Sequence, residues 1–386
     1  MFDKADSSRN EYMLKGKLAD KGYDWWWHSF TGINEITGEE KPFFIEFFVV
    51  NPSLGKKYPV FGEGIDNPKG CREKKKNRPS YVMIKAGCHG EDAMQLHRFY
   101  GIKKVLIKGE NPFEIHAGDC YLSENLTKGH VKVCESESRN HPERMSDSGE
   151  MTWNLRINKE IAYNVGYGAS KPLRSINAFE MYWHAQGMKA EYDGFVELNG
   201  VRYNVQADKS YGYADKNWGS DFTSPWLWLA SNNLYSLTAN RQLRNSAFDI
   251  GGGRPKVFHV PLDRKLLGGF FYEGTQMDFN FSKFWSGQGQ RFKVWETEEE
   301  ICWKVWLENR KNLMKLEVRC QKKDMLFVRY QSPDGEMRHK RLYNGGNGRG
   351  IIRIYEKQRG GLLLMDVIKA ENVGCEYGEY EEKSHE

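Results

Sequence analysis

Between Trp183 and Arg254 the sequence gathers side chains suited to moving a proton in an apolar setting. Two carboxyls, Asp215 and Asp249, accompany the phenol Tyr213, the amine Lys216, the amide Asn217 and the indoles Trp183, Trp218, Trp226 and Trp228, and His184 directly follows Trp183. A carboxylic acid kept neutral by apolar burial can donate a proton, and indole or phenol faces stabilise developing positive charge. The same residues also admit plainer roles. Asp215 and Lys216 could form a surface ion pair worth little energy, and Asn217-Trp218-Gly219 could be a corner in which Asn bonds the backbone, Trp plugs a barrel end and Gly turns.

The elements that must position these groups are strands. Apolar residues seldom recur at helical spacing, whereas short alternating or aromatic runs bounded by Gly, Asn, Asp and Pro recur throughout. Examples are 43–50 (FFIEFFVV), 81–86, 103–108, 131–135, 152–157, 194–198, 226–230, 300–307, 314–320 and 350–356. Asn199-Gly200 and Ser332-Pro333-Asp334-Gly335 read as turns. The segments 269–273, 276–281, 290–296, 301–307 and 314–320 read as a meander able to close into a barrel. Gly251-Gly252-Gly253 and 344–350 (NGGNGRG) would serve bends or bulges; no Lys-Ser/Thr follows the glycines, which argues against phosphate binding. Residues 136–150 read as a surface loop and 158–180 as the crossing between two halves.

Composition narrows the function. The chain has 386 residues, above the usual size of one hydrophobic core, and 14% aromatic residues, enough to build a large β-protein with rings left over for a pocket. Its seven cysteines are odd in number and lack any C-x-x-C pair, and the ten histidines never fall in H-x-H or H-E-x-x-H spacing, so neither a disulfide framework nor a metal site is expected. A net charge of +5 with one basic run, 72–78 (REKKKNR), reads as a solvated loop, and no nucleic-acid partner is expected. No stretch reaches the roughly 20 apolar residues of a membrane helix, and the polar N-terminus lacks a secretory signal, so no stable membrane insertion and a cytoplasmic location are expected.

The ordered blocks Met181-Tyr182-Trp183, 194–200 (GFVELNG), 211–219 (YGYADKNWG), 222–232 (FTSPWLWLASN) and 247–254 (AFDIGGGR) resemble the tocopherol cyclase family, which carries an E-K-N-W-G block, a Trp-x-Trp strand ending at Asn and a Gly-Gly-Gly strand. They are similar, more distantly, to the carotenoid 1,2-hydratases, whose corresponding block reads D-H-N-W-G. The resemblance covers most of residues 22 to 378. It implies an all-β protein of two lipocalin-like β-barrel or β-sandwich domains packed together, placed at 10–180 and 181–378, with a tail at 379–386.

The resemblance also implies redox-neutral chemistry: closing a phenol onto an alkene, or adding water across one, by general acid–base catalysis with no cofactor. The expected partner is a hydrophobic aromatic or isoprenoid substrate. Asp249 stands roughly where the hydratases' catalytic carboxylate follows their H-N-W block and is the expected proton donor, although the cyclases carry a hydroxyl residue there. Lys216 matches the cyclases' lysine and could hold a phenolate or pair with Asp215 or Asp249. Asp215 and Tyr213 are the alternative donors, while Trp218, Trp183, Asn217, Trp226 and Trp228 are expected to bind substrate. Because neighbouring strand residues face opposite ways, Trp183 is placed inside and His184 is secondary. A hydratase or dehydratase, and a carrier that returns its ligand unchanged, are the rival readings.

Overall fold

The computed structural model of the chain describes residues 2–61, 78–109, 113–165, 179–254, 256–257, 260–261, 265–280 and 289–380. Two 12-stranded antiparallel sheets dominate. The first comprises β1 (Tyr23–Asn34), β2 (Glu40–Val50), β3 (Tyr81–Cys88), β4 (Met94–Gly101), β5 (Val105–Lys108), β6 (Glu114–Ala117), β7 (Cys120–Ser123), β8 (Leu126–Val133), β9 (Gly149–Tyr163), β10 (Met181–Leu198), β11 (Val201–Val205) and β12 (Gly212–Gly219). Its order is β4-β3-β2-β1-β11-β10-β9-β8-β7-β6-β5, with β12 bridging β1 and β10, and β4 returns to lie against β8.

The second sheet comprises β13 (Trp226–Ser231), β14 (Asn233–Ser236), β15 (Arg241–Gln242) and β16 (Ala247–Gly253), then, beyond the two-stranded ribbon β17 (Lys256–Val257) and β18 (Val260–Pro261), β19 (Lys265–Tyr272), β20 (Thr275–Asn280), β21 (Gly289–Glu296), β22 (Glu300–Glu308), β23 (Asn312–Gln321), β24 (Leu326–Phe327), β25 (Arg341–Gln358) and β26 (Gly361–Glu379). Its main path runs β20-β19-β16-β13-β26-β25-β23-β22-β21. This is the all-β architecture expected from the strand pattern. Among the described residues no helix is long and apolar enough to cross a membrane.

Three apolar layers follow from strand alternation. Trp26, Phe30, Phe43, Ile45, Phe47 and Trp218 fill the first sheet's interior. Leu227, Leu229, Phe248, Ile250, Trp303 and Val373 fill the second's. The opposite faces of the same strands supply Trp27, Phe44, Phe48, Trp183, Tyr213, Trp228 and Ala230 to a third layer between the sheets. Strands such as β2 and β3 are therefore covered on both faces, which explains their nearly unbroken apolar sequences.

Several expectations need adjustment. The first sheet continues through Gly219 and the second begins at Trp226. β9 extends to Tyr163, taking up the start of the expected crossing, and 136–150 contains most of a short helix, Glu135–Asn140. The Asn199-Gly200 turn joins β10 to β11 with both residues at positive φ, 50° and 80°, and the register of β25 against β26 shifts between Gly345 and Gly350, a bulge. Cys71 and residues 72–77 of the basic run lie outside the described residues.

Candidate active site

The third layer holds the chemistry. On the first sheet, register aligns Lys85 (β3), Glu46 (β2), Trp27 (β1) and Asp215 (β12) in one cross-strand row. On the second, it aligns Asn344 (β25), Glu376 (β26), Trp228 (β13) and Gly251 (β16). Members of both rows meet in a narrow cleft of about 20 Å3, lined by Trp25, Trp27, Asp215, Asn217, Trp226, Trp228, Tyr330, Asn344 and Glu376. A neighbouring cavity shares Trp27 and Trp228 with this cleft, and shares His89, Tyr211, Pro42 and Asn372 with a wide polar vestibule.

At the base of the cleft, Tyr213 Oη lies 2.9 Å from Asp249 Oδ2 and 3.2 Å from Asp215 Oδ2. The Trp228 indole N–H points at both Asp249 Oδ1, 3.1 Å away, and the Tyr213 hydroxyl at 3.2 Å. Trp183 Nε1 donates to Asp215 Oδ2 at 3.0 Å. A phenol has one proton to give, so it can satisfy only one carboxylate; the second contact requires a carboxyl that itself donates to the phenol oxygen. At least one of the two aspartates is therefore protonated. Burial, then the charge of Asp215, drives Asp249 far above the carboxylate range. Burial also lifts Asp215 to about 7, opposed by its bonds from Trp183 and Tyr213. The consistent arrangement is neutral Asp249 donating to Tyr213, and Tyr213 donating to Asp215. Asp249 is sealed at 0% exposure and does not border the cleft; Asp215 does, and its Oδ1 has no hydrogen-bond partner among the described residues.

Two glycines make room for the indoles. A Cβ at Gly374 would meet Trp228 Cη2 at 2.4 Å, and one at Gly251 would meet Trp183 Cζ3 at 3.1 Å. The Gly-Gly-Gly strand thus gives Trp183 a flat bed, and it pairs with β13 and β19 in unbroken register, without the bulge expected there.

The structure brings Asp215, Asp249, Tyr213, Trp183, Asn217, Trp226 and Trp228 to this layer. Asn217 lines the cleft and accepts from the Tyr23 hydroxyl at 2.8 Å, and the Trp226 indole donates to Glu376. Lys216, Trp218 and His184 do not join them. Each is next in sequence to a residue of the cleft layer, so alternation turns it into the first sheet's interior. There Lys216 pairs with fully buried Asp24 and sits 4.0 Å over the Trp26 ring and 5.5 Å over the Trp218 ring. Burial first, then Asp24 in opposition, brings Lys216 down to about 8. His184 lies across from Lys216 in register, and burial holds it neutral, its pKa down to about 3. Lys216 therefore cannot pair with Asp215 or Asp249.

Glu46, Lys85, Tyr330, Asn344 and Glu376 were not among the expected site residues. Tyr330 donates to Glu46 Oε2 at 3.0 Å, Lys85 Nζ stands 3.8 Å from the same oxygen, and Lys85 lies 5.4 to 5.6 Å from the rings of Trp27, Phe44 and Tyr330. The available signal was a single charge inside an otherwise apolar run: Glu46 in FFIEFFVV and Lys85 in YVMIKAG. Among the described residues no group of three or more His, Cys, Asp or Glu is arranged to hold a metal ion.

No curated protein matches the chain. Two solved structures are similar over nearly their whole length. One, described as AttH from Nitrosomonas europaea, is 10% identical with a TM-score of 0.48, covering 96% of this chain and 98% of the other. The second, kievitone hydratase from Nectria haematococca, is 11% identical with a TM-score of 0.48, covering 98% and 96%. Residues 114–378, well over half of the sequence and spanning Tyr213, Asp215, Trp228, Asp249 and Glu376, match the family described as tocopherol cyclase-like, and the chain belongs to that family.

Proposed function

We propose that this chain is a redox-neutral isomerase or cyclase, an intramolecular lyase, acting on a hydrophobic phenolic or prenylated molecule by general acid catalysis in the inter-sheet cleft. The observation that carries the reading is the carboxyl pair bridged by Tyr213, whose Asp215 end borders a cleft walled by Trp25, Trp27, Trp226 and Trp228. Asp215, rather than Asp249, is the acid that meets substrate, because it alone of the two reaches the cleft.

In this reading Asp215 protonates the alkene, the indole faces stabilise the cation that forms, and an oxygen nucleophile captures it. Neutral Asp249, acting through Tyr213, holds Asp215 in place and keeps a second negative charge out of the site. The test is incubation of the full-length protein with 2-(3-methylbut-2-enyl)phenol and analysis for the ring-closed ether. Closure that depends on Asp215 supports the reading. Binding of prenylated phenols that are always returned unchanged would indicate a carrier instead.

A further inference from the structure

Resting on that reading of the cleft, we propose that Glu376 is the base opposite Asp215, so that each sheet supplies one half of an acid–base pair. Both residues line the same cleft, Asp215 from β12 and Glu376 from β26. Their hydrogen bonds differ in the way the two roles require. Glu376 receives an N–H on each oxygen, from Trp226 on Oε2 and from Asn344 Nδ2 on Oε1 at 3.4 Å. The Asn344 amide is turned to donate by His89, whose Nε2 lies 2.7 Å from Asn344 Oδ1. A donor on each oxygen leaves no oxygen free to carry a proton and favours the ionised form, a proton acceptor, whereas both donors to Asp215, Trp183 and Tyr213, fall on Oδ2. Asp215 has one oxygen with no partner among the described residues, which suits the O–H of an acid. Burial raises the Glu376 pKa, making it a stronger base, while Trp226, Lys85 and Asn344 oppose that rise.

The step balances without an oxidant or reductant. The Asp215 O–H bond breaks and a C–H bond forms on the alkene. The phenol O–H bond breaks, its proton passes to Glu376, and the oxygen's electron pair forms the C–O bond to the cation. Turnover leaves Asp215 ionised and Glu376 protonated, and exchange with water restores both.

The experiment uses the full-length protein with 2-(3-methylbut-2-enyl)phenol in D2O. Wild type should yield the closed ring carrying solvent deuterium. Glu376→Gln should lose closure by about 100-fold or more while Asp215 still exchanges deuterium into unreacted side chain. Asp215→Asn should lose both. Closure by Glu376→Gln within threefold of wild type overturns the assignment of the base; exchange by Asp215→Asn at the wild-type rate instead sinks the underlying acid assignment. A second measurement needs no turnover. The infrared stretch of buried protonated carboxyls at pH 6 should weaken in Asp215→Asn and survive in Glu376→Gln, and its loss in Glu376→Gln would overturn the proposal.

Discussion

Asp215 and Asp249 belong to different sheets, yet each places Oδ2 within hydrogen-bond distance of the same atom, Tyr213 Oη, at 3.2 and 2.9 Å. The arrangement makes the two carboxyls unequal. One is neutral and enclosed, the other titrates near neutrality beside a cleft.

Asn can reproduce a neutral Asp249: its carbonyl would accept from Trp228 and its amide would donate to Tyr213. Asp249→Asn should therefore retain turnover within about tenfold, whereas Asp215→Asn should lose 100- to 10,000-fold. Steady-state kinetics of both variants on the same prenylated phenol decide it. Equal and severe losses would show that Asp249 itself moves the proton.

The acid must be protonated and the base ionised to act, so kcat/KM should pass through a maximum and, on its alkaline side, fall about tenfold per unit above about pH 7, following Asp215. A carboxyl at the ordinary value would have lost activity above pH 4. Stability carries the same sign. The folded state holds a proton that the unfolded chain releases near pH 4, so this group's contribution falls as pH rises from 4 through 7. Asp215→Asn should then be more stable than wild type above pH 7, by a few kcal/mol at most. A profile flat to pH 9, or no gain in thermal midpoint, would contradict the shifted pKa.

Much of this is legible in the sequence. Period-two alternation gave the strands, Asn199-Gly200 gave the hairpin, and the block from Tyr213 to Asp249 contained the bridged carboxyl pair. Alternation separates Lys216 from Asp215, and Trp218 from Asn217, as it separates His184 from Trp183, but the K-N-W-G block reads as one unit in the sequence and hides that its side chains face two different layers. Glu376 was hidden for another reason. It belongs to the last strand of the second sheet, and only the register of β26 against β13 and β25 carries it to the site.

Lys216 is a stability residue of the first sheet's interior. Removing its charge in Lys216→Met strands Asp24, also at 0% side-chain exposure, and should cost about 3–5 kcal/mol. The cost should shrink as pH falls towards about 6, because Asp24, no longer held down by Lys216, takes up its proton at a higher pH than in wild type. Adding Asp24→Asn should recover most of the loss, and kcat per folded molecule should stay near wild type in both variants. Thermal melts and active-site titration check this; a large fall in kcat with an unchanged melt would return Lys216 to the catalytic apparatus.

Gly374 tests how tightly the acid depends on its indole support. It faces Ala230 in the β13–β26 ladder, and an added Cβ would approach Trp228 Cη2 at 2.4 Å and Cζ3 at 2.8 Å, closer than those atoms can come. In Gly374→Ala the indole must move, and its N–H leaves Asp249 and Tyr213. Overpacking should cost about 1–3 kcal/mol, but the larger effect should be on turnover, because Tyr213 would then be free to swing from Asp215. Gly360→Ala is the control, since nothing lies within 4 Å of a Cβ there. Near-ultraviolet circular dichroism reports the Trp228 environment, and kcat reports the acid. If the dichroism changes while kcat holds, the indole is a wall of the cleft and the carboxyl pair keeps its geometry without it.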